Sequence, residues 1–195
     1  MTPDPWMKLA RFYPWIRNNP VSYAFLKKEI AAGSILLSAI SGKQFAIVAD
    51  LGSGSGHSLS LLPETAQKKI AIDRCSEMVT RYSSRFNDII FMQADVCHLP
   101  LKSDSLDFIL CVGLLEYISD TPALFLQLHR ILKEGRMLLL TNAPPHFLNR
   151  MRRLSGPPLC LRHAEEVERL IISHHFYIKG KSETTLQQQY LLQKQ

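Results

Sequence analysis

The strongest constraint on how this chain folds is an apolar run that leads into an acidic residue and three alternating glycines. The run extends from Phe45 to Ala49, and it is followed by Asp50, Gly52, Gly54 and Gly56. A short apolar run of this kind is typical of a buried parallel strand. Glycines adopt positive φ angles at little cost and let a ligand approach bare backbone amides. The pattern therefore predicts a strand, a tight turn and the start of a helix, where unpaired N–H groups can bind a ligand.

The glycine spacing separates two kinds of nucleotide site. A dinucleotide-binding turn has the spacing G-x-G-x-x-G, and here the position of its third glycine is occupied by His57. The spacing present is D-x-G-x-G-x-G, which starts at Asp50. An ordinary strand-to-helix turn without a ligand is the alternative interpretation of these residues alone.

Strand and helix patterns alternate from Phe45 onward, which is typical of an α/β protein with a parallel sheet. Strands are predicted near residues 45–50, 69–73, 89–93, 107–112 and 136–141. Helices are predicted near residues 55–62, 76–84, 121–133 and 163–174. Residues 176–179 and 189–192 are predicted to form a closing hairpin, so we expect a doubly wound, mostly parallel sheet with an antiparallel closing strand.

Residues 1–18 carry an amphipathic helical pattern with an apolar stripe that includes Trp6, Leu9 and Tyr13, and Pro14 ends or kinks it. A helix packed on the core is the favoured interpretation. A lid, or a helix lying on a membrane surface, is the alternative.

A second helix is predicted to follow, because Asn19 is a good N-cap and Pro20 suits the first helical position. Gly42 fits a C-terminal stop. The sequence therefore divides into an N-terminal helical cap, residues 1–42, and a core domain, residues 43–195.

Composition excludes few classes of protein. The chain is 46% hydrophobic and 21% charged with a net charge of +6, which is ordinary for a globular protein and favours anionic partners. The four cysteines have neither C-x-x-C pairing nor metal spacing, so we expect reduced thiols in a cytoplasmic protein and no metal. No secretory signal is visible, and the longest apolar stretch is shorter than the ~20 residues that span a bilayer.

Asp73 ends the second predicted strand. A carboxylate there can accept hydrogen bonds from both hydroxyls of a ribose. The alternative role is a cap for the helix predicted at 76–84. Together with the glycine turn, the ribose role is favoured.

Four later stretches extend this pattern: Ile70–Met78, Gln93–Leu101, Ser105–Ile118 and Leu128–Leu140. With the glycine turn they resemble, in order, the motifs of the class I S-adenosylmethionine (SAM)-dependent methyltransferases. The resemblance is to the small-molecule branch, methyltransferase type 11, which is similar to ubiquinone and menaquinone methyltransferases. It covers residues 45–141 and implies a Rossmann-like fold with SAM as cofactor. Cys75, where the family usually has Ser, and the single Gly135 before the fifth strand depart from its pattern.

The resemblance also implies roles for individual residues. Arg74 and Met78 would flank the adenine, Asp95 would accept a hydrogen bond from its amino group, and the Val96 amide would meet the ring. The residues assigned to the cofactor site are Asp50, Gly52, Ser53, Gly54, Gly56, Asp73, Arg74, Met78, Asp95, Val96 and Cys111.

The activity implied is direct displacement of methyl from the sulfonium by a small, partly hydrophobic acceptor. Candidates to face the acceptor are Tyr13, Glu116, Tyr117 and His146, each of which has a structural role as its alternative. Aromatic and basic residues in the N-terminal segment and after the fifth strand predict a weak contact with an anionic membrane surface.

Two rival functions stay open. The basic balance and the cluster Arg150–Arg153 suit a nucleic-acid or ribosomal methyltransferase. However, no nucleic-acid module is recognisable, and Cys111–Leu114 lacks the N/D-P-P-Y/F segment of amino-methylating enzymes. The other rival is a protein that binds SAM without catalysis.

Overall fold

The computed structural model describes residues 19–78, 86–152 and 157–195. They form a seven-stranded sheet in the order β3-β2-β1-β4-β5-β7-β6. The strands are β1 Phe45–Leu51, β2 Ala66–Asp73, β3 Ile89–Gln93, β4 Leu106–Cys111, β5 Leu132–Asn142, β6 Phe176–Glu183 and β7 Gln188–Lys194. The first five are parallel to one another, and β7 pairs antiparallel with both β5 and β6. This confirms the predicted parallel sheet and its closing hairpin.

Within the described ranges, four α-helices accompany the sheet, together with short 3-10 turns. The helices are α1 Pro20–Leu37, α2 Thr121–Ile131, α3 Phe147–Arg152 and α4 Ala164–Ser173. The 3-10 turns are Ser38–Ile40, Ser58–Leu61 and Leu115–Tyr117. A further helix begins at Ser76 and is described as far as residue 78. The helix predicted within residues 1–18, including Tyr13, lies outside the described residues.

Helix α1 begins where the sequence predicts. The side chain of Asn19 accepts a 3.0 Å hydrogen bond from the amide of Ser22, and Pro20 is the first helical residue. The helix ends at Leu37 and continues as a 3-10 turn, after which Gly42 has a φ of 77°. The division of the chain at residue 42 stays a prediction.

Two predicted helices were wrong in type or extent. The segment 55–62 forms only the 3-10 turn Ser58–Leu61, because Pro63 follows directly and a residue before proline is driven out of helical backbone. Helix α2 ends at Ile131 because Leu132 is already extended and pairs with Leu106. Strand β5 therefore starts earlier than the predicted residue 136.

Apolar side chains cover both faces of the sheet. Successive residues of a strand point to opposite faces, so Leu138 joins the cluster that packs on α2 and α4, while Leu139 joins the cluster beside α1. The flanking helices leave the carboxyl ends of the parallel strands at one edge. In open α/β sheets this edge is where ligands bind.

Candidate functional site

One cavity lies at the carboxyl ends of the parallel strands. It has about 660 Å³ of space between protein atoms, counting its open mouth, which is in the range of small-molecule sites. Its lining is mixed, with carboxylates, one guanidinium and apolar side chains. The lining residues are Gly52, Gly54, Asp73, Arg74, Met78, Asp95, Val96, Gly113, Leu114, Tyr117 and Ile118.

The glycine turn forms one wall of this cavity. Gly52, Gly54 and Gly56 have φ angles of 71°, 48° and 79°, all in the region that side chains disfavour. A Cβ atom on Gly52 would lie 2.8 Å from Cδ1 of Leu114, so the two walls approach more closely than a side chain permits. The amide of Gly52 donates a 2.8 Å hydrogen bond to the carbonyl of Ile72, which ties the turn to β2.

Asp73 faces the glycine turn from the end of β2. Its Oδ2 accepts from the Gly54 amide and its Oδ1 from the Cys75 amide, each at 2.9 Å. The carboxylate therefore has both a local turn role and a place in the cavity wall. A carboxylate in this position is a hydrogen-bond acceptor, the group that ligand hydroxyls require.

The adjoining wall combines apolar and acidic groups. Met78 and Val96 are only 2% and 5% exposed yet line the cavity, as an apolar planar ligand requires. Asp95 lies at the rim, where its Oδ1 accepts a 2.9 Å hydrogen bond from the Cys97 amide. Arg74 is exposed and completes this side of the cavity. The structure thus brings together most of the residues that the sequence assigned to the cofactor.

Four residues assigned to the cofactor do not line this cavity. Asp50 and Cys111 are wholly buried beneath it, Gly56 faces the ring of Phe86, and Ser53 belongs to an adjoining cavity. The carboxyl end of β4 contributes Gly113 and Leu114 instead, and Gly113 is fixed by a 2.8 Å hydrogen bond from its amide to Thr141 Oγ1. Gly113 and Leu114, together with Ile118, lie in the stretch 105–118 that the sequence analysis recognised, but residue type alone gave no reason to select them.

Asp50 is an acid in an apolar setting. Its Oδ2 accepts a 2.6 Å hydrogen bond from Ser58, and its Oδ1 has no partner among the described residues. Burial raises the pKa of Asp50 from 3.8 to about 7, the Ser58 hydrogen bond opposes that shift, and the charge of Asp73 adds to it. Burial likewise raises the pKa of the Cys111 thiol, with smaller contributions from Asp50 and Glu116. Cys111 is thus a neutral core residue rather than a reactive thiol.

A second cavity, of about 500 Å³ including its open mouth, adjoins the first across the glycine turn. The two share Gly52, Gly54 and Gly113. The remaining wall comes from α1, the residues after the glycine turn, Val112 and the turn between β6 and β7: Leu26, Glu29, Ile30, Ser53, Ser55, His57, Ser58, Val112 and Gln187. The main cavity therefore opens next to a second cavity that is bounded by α1.

The residues predicted to face the acceptor occupy different positions relative to the main cavity. Tyr117 lines the main cavity, and its hydroxyl lies 3.3 Å from Nη2 of Arg152. Glu116 is 3% exposed, its Oε1 is 3.6 Å from the same guanidinium nitrogen, and the described part of the chain offers its Oε2 no hydrogen bond. His146 is exposed on the turn before α3 and does not line the cavity.

The stretch of chain that forms this site is similar to known proteins. Residues 49–140 match the family described as methyltransferase domain. This stretch is therefore similar to a methyltransferase domain. The matched stretch runs from β1 to β5 and contains every residue that lines the main cavity.

Two curated proteins are about one-third identical to this chain over the residues that align. The uncharacterized methyltransferase YcgJ of Bacillus subtilis is 31% identical over 122 residues, covering 56% of this chain and 48% of the relative. The malonyl-[acyl-carrier protein] O-methyltransferase of Marinomonas sp. is 31% identical over 133 residues, covering 66% of this chain and 48% of the relative. The chain thus spans about half the length of the curated relatives it matches.

The fold of the whole chain is shared with solved methyltransferases. The magnesium protoporphyrin IX methyltransferase of Synechocystis, solved with bound S-adenosylhomocysteine (SAH), superposes with a TM-score of 0.76 at 18% identity. The match covers 97% of this chain and 96% of that one. Across the described ranges 19–78, 86–152 and 157–195, no helix is both long and apolar enough to cross a bilayer.

Proposed function

We propose that this chain binds SAM and transfers its methyl group to a small, partly hydrophobic acceptor. The observation that carries the proposal is the cavity in which Asp73, Met78, Asp95 and Val96 meet the glycine turn. Relatives named as SAM-dependent methyltransferases, including one from Mycobacterium tuberculosis, support the same cofactor.

The residues of the cavity fit an adenosyl group. Asp73 places a carboxylate in the cavity wall, and a carboxylate can accept hydrogen bonds from both hydroxyls of a ribose. Met78 and Val96 offer buried apolar surface to the planar base, and Asp95 offers a carboxylate at the rim. Asp73 ends β2, Met78 lies on the helix that follows it, and Asp95 and Val96 follow β3, which pairs with β2.

SAM, when bound, would supply an electrophilic methyl carbon on a sulfonium. The contribution of this chain is to hold the donor at the strand ends and to keep water from the reacting atoms. Tyr117 stands in the cavity wall, where its hydroxyl can orient an acceptor, and Arg152 holds that hydroxyl in place. Glu116 belongs to the same turn as Tyr117 but does not line the cavity.

Calorimetric titration with SAM and with SAH tests the cofactor assignment, and formation of SAH in the presence of acceptor panels tests turnover. The proposal predicts binding of both ligands and SAH formation with at least one partly hydrophobic acceptor. Binding without SAH formation on any panel would favour a non-catalytic SAM-binding protein. Absence of binding to either ligand would overturn the cofactor assignment.

Helix α3 carries an apolar and basic surface. Phe147 and Met151 lie one turn apart on α3 and are 67% and 50% exposed, with Arg150 beside them. Exposed apolar groups flanked by cations suit an acceptor presented at an anionic membrane surface. We therefore include weak, salt-sensitive membrane contact in the proposal.

Co-sedimentation with vesicles of mixed neutral and anionic lipid at low and high salt tests this contact. Wild-type protein should pellet at low salt only, and Phe147→Ser should reduce pelleting. Ile172→Ser is the matched control, because Ile172 is also 67% exposed but lies on α4. Equal pelleting of both variants, or no pelleting of wild type, would contradict membrane contact. Steeply salt-dependent binding to RNA in the same series would favour the nucleic-acid alternative.

A further inference from the structure

Part of the cavity wall comes from a segment outside the sheet, which consists of the 3-10 turn Leu115–Tyr117 and the following residue, Ile118. Tyr117 and Ile118 both line the main cavity. The turn's own amides make short-range bonds, from Tyr117 to the Leu114 carbonyl at 2.8 Å and from Ile118 to the Leu115 carbonyl at 3.2 Å. A single 3-10 turn of this length is held weakly by such bonds alone.

A distant arginine bonds the carbonyls of this turn. Arg162 Nη1 donates to the Leu115 carbonyl at 2.9 Å, and Nη2 donates to the Ile118 carbonyl at 2.7 Å. The side chain is 8% exposed, so these charge-assisted bonds are shielded from water. One planar guanidinium thus spans the two ends of the segment that lines the cavity.

Two further hydrogen bonds near Arg162 strengthen this contact and connect it to the sheet. The Cys160 amide donates a 2.7 Å hydrogen bond to the Glu116 carbonyl, between the two carbonyls that Arg162 binds. Asn142, at the end of β5, donates a 2.8 Å hydrogen bond to the Arg162 carbonyl. The sheet therefore holds Arg162, and Arg162 holds the turn.

We infer that Arg162 is a positioning residue for the ligand cavity, acting through Tyr117 and Ile118. Its guanidinium sets the distance between this wall and the glycine turn. Lysine cannot replace it, because an ammonium is a compact point charge without the planar fork that reaches both carbonyls. The inference rests on the proposed function only for the choice of SAH as a probe.

The test compares Arg162→Lys with Lys194→Met. Lys194 is another buried cation that donates to a backbone carbonyl, that of Leu132 at 2.8 Å, but it does not line the cavity. Both variants should unfold at lower denaturant concentration than wild type. Under conditions where each is fully folded, Arg162→Lys should weaken SAH binding about tenfold or more, whereas Lys194→Met should bind SAH as wild type does.

A double-mutant cycle tests whether Arg162 changes SAH affinity through the cavity wall. If Arg162 acts through the wall, Arg162→Lys should change SAH affinity much less in an Ile118→Ala background than in wild type. Additive effects, or SAH affinity unchanged by Arg162→Lys in wild type, would overturn the inference. This readout does not respond to a purely structural role, since loss of stability alone leaves the affinity of the folded protein unchanged.

Hydrogen exchange of the wild-type protein provides a measurement without variants or ligand. The amides of Tyr117, Ile118 and Cys160 should exchange through one opening event with a common free energy and a common response to denaturant. Opening of Tyr117 and Ile118 at a lower free energy than Cys160 would overturn the inference. Failure of wild type to bind SAH would instead contradict the cofactor proposal, and hydrogen exchange would still decide the role of Arg162.

Discussion

The amide of Gly54 donates a 2.9 Å hydrogen bond to Oδ2 of Asp73, joining the turn after β1 to the end of β2. The residue that bends the backbone toward the ligand therefore touches the carboxylate that is proposed to bind the ribose. Changes at either residue should act on the same cavity wall.

Asp73→Ala should weaken SAM binding by about 1.5–3 kcal/mol, or roughly ten- to hundredfold, because a charge-assisted hydrogen-bonding partner of the ligand is lost. Calorimetric titration measures the change. Asp88→Ala is the control, since it removes an exposed carboxylate paired with Lys69 on the surface. SAM affinity that is unchanged in folded Asp73→Ala would reject the ribose assignment.

Gly54→Val should abolish SAM binding while the protein stays folded, because a branched side chain would stand where backbone borders the ligand. Gly54 has a φ of 48°, so the variant also carries backbone strain. Gly42→Val controls for that strain, since Gly42 has a φ of 77° and a Cβ atom there would have no neighbouring atom within 4 Å. Circular dichroism should show both variants folded, and calorimetry should show SAM binding by Gly42→Val only.

Asp50→Asn should become more stable relative to wild type as the pH rises. The pKa of Asp50 in the fold is about 7 against an ordinary 3.8, so folding takes up a proton between these values and the free energy of unfolding falls across that window. The variant lacks this dependence. Urea unfolding of both proteins at pH 4, 6 and 8 measures it, and parallel stability curves would show that Asp50 is ionised in the fold.

Asp107→Ala should lower the free energy of unfolding by about 2 kcal/mol or more, because two backbone amides lose their acceptor. Asp107 Oδ2 accepts from Ala46 and Ile47 at 2.7 and 3.0 Å, and Oδ1 accepts from Lys133 at 2.9 Å. Chemical denaturation at pH 7 measures the loss, and Asp107→Asn, which keeps an acceptor, should lose less.

The same carboxylate predicts a loss of stability in acid. Burial acts to raise the pKa of Asp107, but hydrogen bonds from Lys133, Ile47 and Ala46 outweigh it, so the pKa lies below the ordinary 3.8. Its contribution is therefore present above that value and disappears as the pH falls through the folded pKa. The stability difference between wild type and Asp107→Ala should shrink in that acidic window and stay constant from pH 5 to 8.

Features that depend on the chemistry of neighbouring residues could be predicted from the sequence. The apolar run from Phe45 forms the predicted strand β1, and the structure places the glycine turn and Asp73 in the wall of one cavity. The extents of helices were less predictable, because Pro63 and the pairing of Leu132 with Leu106 override helical periodicity.

Long-range contacts explain what the sequence did not reveal. Arg162 lies in an ordinary lead-in to a helix, and only the folded chain brings it to carbonyls 44 and 47 residues away. The burial of Asp50 and Cys111 likewise follows from the central position of β1 and β4 in the sheet. A motif read along the chain cannot separate the residue that touches the ligand from the one beneath it.

Strand β7 follows β6 in the chain but lies between β5 and β6 in the sheet. Strand β7 is therefore the link between β6 and the rest of the sheet, and it pairs along both of its edges, with β5 and with β6. Without β7, the edge of β5 would present unpaired amides and carbonyls from Met137 to Asn142, a surface open to wrong pairing in a nascent or refolding chain. Strands β1, β2, β3 and β4, whose carboxyl ends border the main cavity, pair with one another without the hairpin, so the hairpin serves to protect an edge of the sheet.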